Sequence, residues 1–158
     1  AVLSQTYTRG GAVCLCLLEL DRFDEIINNQ GYLAGDEALV ILAQRIRKAL
    51  RPLDFLSRYW GGTFAFLLHS ADQAMNFEPV IRRILDEVCI EPVETSTGVL
   101  DISCSAGAQV YLPNATELTV NELELMALAH LGQAKQEGEQ CLRIETKKGL
   151  ATNHDAFL

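Results

Sequence analysis

The sequence predicts an α+β sandwich, with helices covering an antiparallel-rich sheet. Three observations carry this reading. Apolar runs of strand length alternate with stretches of helical periodicity in the order β-α-α-β-β-α-β-β-α-β. Two strand pairs are joined by short glycine-containing turns, which makes hairpins. A length of 158 residues suits one domain with one core.

Residues 1–11 are polar and end in glycine, an extended lead-in. Ala12–Leu20 is mostly apolar and too short for a helix, so it reads as a central strand buried on both faces. Arg22–Asn29 reads as a short helix stopped by Gly31. Asp36 and Glu37 then open a longer helix to Leu50. Its apolar face is Leu39, Leu42, Ala43, Ile46 and Leu50, and Pro52 ends it. Acids in its first turn would suit the helix dipole. Phe55–Tyr59 and Thr63–Leu68 form a hairpin. A helix from Phe77 to Val88 carries the stripe Phe77, Val80, Ile81, Ile84, Leu85 and Val88, with Pro79 in its first turn. Glu91–Thr95 and Leu100–Leu112 read as strands joined by the Ser96–Gly98 turn. Asn121, with Glu124 three residues on, has the capping-box spacing for a helix to Gly138. Gln140–Glu145 is the last strand. The domain therefore spans 1–145, and 146–158 reads as a linker toward a downstream domain.

Composition narrows the function classes. Apolar residues are 49% and charged residues 22% of the chain, as in an ordinary soluble domain. The apolar runs are too short to cross a bilayer, and no basic-then-apolar leader opens the chain, so membrane contact and secretion are not expected. The abrupt start reads as a piece of a longer protein. A net charge of −8 argues against nucleic-acid binding, which needs a basic face. Arg45, Arg47, Lys48 and Arg51 form a local basic cluster, read as the solvated face of a helix. The five cysteines are scattered and odd in number, which points to buried apolar residues in a reducing cytosol. With His69, His130 and His154 they make no metal spacing.

The stretch "RYWGGTFAFLL" poses the functional question. A Gly-Gly pair at a hairpin tip suits close backbone approach to a ligand. Yet the nearest carboxylates in sequence are Asp54 and Asp72.

"LELDRFDEIINNQGYLAGDEAL" followed by "LRPLDFLSRYWGGTFAFLL" resembles the GGDEF, or diguanylate cyclase, family. Its members read D-x-D-x-F-K-x-x-N-D, G-H-x-x-G-D, R-x-x-D and R-x-G-G-D/E-E-F in this order. "ISCSAGAQVYL" and "LAHLGQAKQEG" extend the similarity from Val13 to Ile144. The resemblance implies a nucleotidyl-cyclase-like fold. That is a mostly antiparallel five-stranded central sheet wrapped by helices, plus a peripheral hairpin. It also implies that active members bind GTP with two magnesium ions and pair face to face to make cyclic di-GMP.

Residue by residue, the resemblance implies a degenerate site. Arg58 and Phe64 hold their family places. Trp60 replaces the first signature glycine and Gly61 holds the second, while Gly62 and Thr63 stand where the two acids belong. Magnesium binds anionic oxygen, and phosphoryl transfer depends on that charge neutralisation. Glu19 takes the metal position of D-x-D and Asp21 keeps the second acid. Alternatively, both acids simply end a strand at the surface. Of the guanine positions, Ile27 replaces Asn and Asp36 is retained, unless Asp36 serves only as a helix N-terminal acid. Asp24 replaces a lysine, and Lys135 keeps the phosphate-facing lysine. The implied pocket of Glu19, Asp21, Ile27, Asp36 and Lys135 is vestigial, with no catalytic residue and no cofactor. Magnesium would enter only with residual GTP binding.

Arg51 and Asp54 form R-x-x-D five residues before the signature, which resembles the family's product-binding inhibitory site. Arg is a planar fork that matches guanine and phosphate, and Arg82 or Arg83 could add a second cation. The leading expectation is a non-catalytic regulatory domain in bacterial cyclic di-GMP signalling. It would act by homodimerisation or protein docking, beside an EAL-type phosphodiesterase domain. The alternatives are a cyclic di-GMP receptor at Arg51 and Asp54, a GTP sensor without turnover and, last, a residual cyclase.

Overall fold

The computed structural model describes residues 11–112 and 119–148. The lead-in over 1–10 and the rest of the expected linker, 149–158, lie outside them. The strands are β1 Ala12–Leu20, β2 Phe55–Arg58, β3 Thr63–Ser70, β4 Val93–Thr95, β5 Gly98–Leu100, β6 Cys104–Leu112 and β7 Leu142–Lys148. The helices are α1 Phe23–Gln30, α2 Tyr32–Ala49, α3 Glu78–Cys89 and α4 Val120–Glu137. The main sheet has five strands in the order β2-β3-β1-β6-β7, and β4 and β5 form a separate hairpin. All pairs are antiparallel except β6–β7. The α+β sandwich with a peripheral hairpin is therefore as the sequence predicts.

Strand β1 is central and buried on both faces, which its unbroken apolar run demands. Ala12, Cys14, Cys16, Leu18 and Leu20 face a core shared with α2 and α3. Leu15 and Leu17 face a smaller core with Tyr111 and α4 residues Leu123, Ala127 and Leu131. Each fully buried leucine contributes roughly 1.5–3 kcal/mol relative to exposure. Helix α4 lies directly on β6 at Gly107, where a Cβ would fall 2.0 Å from the Leu131 nitrogen.

Four element boundaries or caps need correction. First, α2 begins at Tyr32, so Asp36 lies in its second turn and no acid occupies the first. Gly31 makes the early start possible. Its φ of +94° reverses the chain in one residue. Its N–H closes α1 on Ile27 O at 2.8 Å, and its carbonyl accepts Gly35 N–H at 3.2 Å. Second, Leu100–Leu112 is not one strand. Residues 101–103 break it, because Ser103 O is taken by Asp21 N–H at 2.8 Å as the chain passes from hairpin to main sheet. Third, Thr119 caps α4, not Asn121. Thr119 has extended backbone, its hydroxyl accepts Glu122 N–H at 3.2 Å, and Glu122 accepts Thr119 N–H at 3.3 Å. Asn121 is already inside the helix. Fourth, the last strand is Leu142–Lys148, so residues 146–148 extend the sheet.

The basic cluster is not simply a solvated face. Arg45 donates to Val88 O at 2.9 Å, Glu91 O at 2.6 Å and Pro92 O at 2.8 Å, closing the C-terminal end of α3. Arg47 donates to Asp54 O at 2.8 Å and to Arg51 O. Cys14, Cys16 and Cys104 are buried as expected, but Cys89 and Cys141 are only partly so. Among the described residues, no helix is long and apolar enough to cross a membrane.

Candidate functional site

The Gly-Gly turn forms one wall of an open cleft of about 430 Å³. The end of β1 supplies Glu19, and the entry to α1 supplies Arg22, Phe23, Asp24 and Glu25. The β2–β3 turn supplies Trp60–Thr63, and α4 supplies Lys135. The turn is tight. Tyr59 N–H donates to Thr63 O at 2.9 Å and Thr63 N–H to Trp60 O at 2.8 Å. Gly61 has φ +51°, a conformation that other residues adopt only with strain. Arg58 folds back to donate to Gly61 O at 2.7 Å and lies 5.5 Å from the Phe64 ring centroid.

Gly62 gives room to a protein side chain. A Cβ at Gly62 would lie 3.0 Å from Phe23 Cγ. Phe23 therefore packs into the space that the missing side chain leaves. Trp60 stacks on Tyr59 with centroids 4.4 Å apart and planes 16° apart. It lines the cleft while remaining 59% exposed. Thr63 is buried and pairs across the sheet with Glu19.

The cleft holds charges of both signs. Glu19 Oε1 accepts from Lys135 Nζ at 2.9 Å. Asp24 and Glu25 occupy the first turn of α1, where the helix dipole favours acids. Among the described residues, no three His, Cys, Asp or Glu side chains gather as a metal cluster.

Of the sequence-derived pocket, Glu19 and Lys135 reach this cleft; Asp21, Ile27 and Asp36 are not among its lining residues. Asp21 is buried and accepts from Ser103 Oγ at 2.7 Å, Ser105 Oγ at 2.8 Å and Gln140 N–H at 3.0 Å. It clasps β1 to β6 and to the chain before β7. Ile27 packs on Gly35, whose Cβ would lie 3.0 Å from Ile27 Cγ1. Asp36 lines a separate groove with Glu37, Val40, Ile41 and Glu94. Sequence reasoning missed Arg22 and Glu25 in the cleft. The one available signal was their place just after the strand that carries Glu19.

Arg51 and Asp54 meet in a second cleft of about 200 Å³, which Arg83 also lines. Asp54 has a side chain 2% exposed and accepts Arg51 N–H at 2.8 Å and Arg51 Nη2 at 3.1 Å. Arg51 also donates to His69 O at 2.8 Å. Arg82 pairs with Glu78 and Arg83 with Glu87, each at 3.0 Å.

A mostly antiparallel sheet with helices on both faces, and a hairpin turn opposite the acid that ends the central strand, defines a nucleotidyl-cyclase-like domain. A family model described as "Diguanylate cyclase, GGDEF domain" matches residues 1–141, and the chain belongs to the GGDEF family. It is 30% identical over 142 residues to the diguanylate cyclase DgcP of Pseudomonas aeruginosa, covering 90% of this chain and 21% of that protein. It is 32% identical over 128 residues to the cyclic di-GMP phosphodiesterase NbdA of the same organism, covering 80% of this chain and 16% of that protein. The GGDEF domain of P. aeruginosa TpbB superimposes with a TM-score of 0.77 at 28% identity, covering 90% of this chain and 82% of that one. The chain thus spans about a fifth of DgcP and less of NbdA.

Proposed function

We propose that this chain is a degenerate GGDEF domain that serves cyclic di-GMP signalling as a regulatory module and does not join GTP molecules itself. It acts by pairing with a second copy or docking on a protein, with an EAL-type phosphodiesterase domain as the expected neighbour in a longer polypeptide. One observation carries the reading. Gly62 and Thr63 bring no carboxylate to the turn, and Glu19 opposite them is neutralised by Lys135 at 2.9 Å. A pair of magnesium ions on a triphosphate needs several converging anionic oxygens. Asp24 and Glu25 lie near but form no metal cluster with Glu19. The donor set does not fit the ions. The likeness to NbdA, named a phosphodiesterase, supports a role beside hydrolytic chemistry.

Incubation of the chain with GTP and magnesium, followed by chromatography of the nucleotides, tests this reading. GTP is expected to remain unconverted. Accumulation of cyclic di-GMP would overturn it.

A second reading is a cyclic di-GMP receptor. It is favoured by the convergence of Arg51, Asp54 and Arg83 on one cleft. Calorimetry with cyclic di-GMP on wild type and Arg51→Ala tests it, and absence of heat from the wild type ends it.

A further inference from the structure

The groove between α2 and the β4–β5 hairpin lies apart from the Gly-Gly cleft and from the Arg51 cleft. Its lining is Asp36, Glu37, Val40 and Ile41 of α2 and Glu94 of β4, around about 320 Å³. Leu33 lies two turns before Val40, on the same side of the helix. Leu33 is 63% exposed and Val40 58% exposed, so neither is spent on the chain's own core. Ile41 is partly buried and packs on that core, which makes it the floor. Aliphatic side chains spaced this way on one helix face are the anchors that a partner helix meets in helix-in-groove recognition.

The groove is fixed before anything enters it. Glu37 Oε2 accepts Ser96 N–H at 2.7 Å and Glu37 Oε1 accepts the Ser96 hydroxyl at 2.6 Å, which ties the hairpin tip to α2. Arg45 holds the chain entering β4 by donating to Glu91 O and Pro92 O. A wall held in place at both ends costs little ordering on binding. The charge around the groove names its occupant. Asp36, Glu37 and Glu94 line it with three carboxylates, and among the described residues none of them has an ion-pair partner. Every arginine the structure describes is engaged with an acid or a carbonyl of its own chain. A second copy therefore has no free arginine face to lay here, and two chains of net charge −8 repel. The complement is a foreign helix with aliphatic residues on one face and cations at its borders.

We propose that this groove docks a basic amphipathic helix of a partner protein. The helix lays its aliphatic side chains on Leu33, Val40 and Ile41 and its Lys or Arg side chains beside Asp36, Glu37 and Glu94. This rests on the protein-docking role proposed for the chain and names the surface that role uses. Formation of cyclic di-GMP from GTP would end the non-catalytic reading without touching the groove. Loss of groove binding would leave that reading standing with its docking face elsewhere.

The probe is a fluorescein-labelled synthetic helix of leucine and lysine, with leucine along one face. Fluorescence anisotropy with the folded chain is expected to show saturable one-to-one binding. Val40→Asp, at an exposed position, is expected to weaken it about tenfold although it adds a negative charge. Glu94→Lys is expected to weaken it by a similar factor, and circular dichroism checks that both variants fold. A matched peptide with serine in place of leucine should not saturate. Amide shifts in a titration followed by NMR should centre on α2 and the β4–β5 hairpin. Binding that Val40→Asp leaves unchanged or strengthens is general attraction to an acidic surface and overturns the proposal. Absence of saturable binding, or shifts centred on another face, overturns it as well.

Discussion

The Phe23 ring occupies the space a side chain on Gly62 would need: a Cβ there would lie 3.0 Å from Phe23 Cγ and 3.1 Å from its Cβ. Those atoms belong to the root of the side chain and cannot swing aside. Gly62→Ala is therefore expected to destabilise the fold by about 1–3 kcal/mol. Urea denaturation measures it. The loss should shrink in the Phe23→Leu background, and equal losses in both backgrounds would refute the contact.

Asp21 sits where the family resemblance places a pocket acid, but the structure makes it a clasp. Asp21→Asn keeps the shape yet turns one acceptor oxygen into a donor facing hydroxyl and N–H groups. A loss of about 1–3 kcal/mol is expected. Retention of wild-type stability by denaturant titration would show that the three donors do not depend on the carboxylate.

Thr119, not Asn121, caps α4. Thr119→Ala should cost about 1 kcal/mol, the worth of a lost cap. Asn121→Ala should change stability little, because Asn121 lies inside the helix. Thermal melts of the two variants separate these outcomes, and the reverse order would place the helix start at Asn121.

His130 predicts a pH dependence. Burial lowers its pKa, the charge of Glu145 opposes this, and Arg143 assists. Its Nε2 is 2.7 Å from Gln109 Oε1. The unfolded chain then takes up the proton at a higher pH than the folded one. The stability contribution is complete above the ordinary histidine pKa and is lost as pH falls through the lower, folded value. Denaturant midpoints measured downward from neutral pH should fall, and His130→Gln should reduce that slope. A slope unchanged in the variant would exclude His130 as its source.

The fold was legible wherever a pattern was local. The doubly buried Ala12–Leu20 run, the stripe of α3 and the hairpin around Gly61 all follow from spacing within one segment. The errors fall where a distant partner decides. The break at residues 101–103 depends on Asp21, and the use of Arg45 depends on the end of α3. The early start of α2 is a local exception, set by the backbone angle at Gly31. The cleft was half legible for the same reason. Glu19, Lys135 and the turn follow from motif order. That Asp21 and Ile27 are engaged elsewhere follows only from contacts with Ser103, Ser105 and Gly35.

Gly107 has a consequence for the far side of the molecule. The α4 backbone rests on it with no intervening atoms, since a Cβ would come within 2.5 Å of Ala127 O. Such a seat leaves no room for a side chain at this position, so α4 lies this low only over a glycine. Lys135, two turns further along, is thereby held at a set height over Glu19. Any residue larger than glycine at position 107 would have to raise α4, and Lys135 with it, away from Glu19.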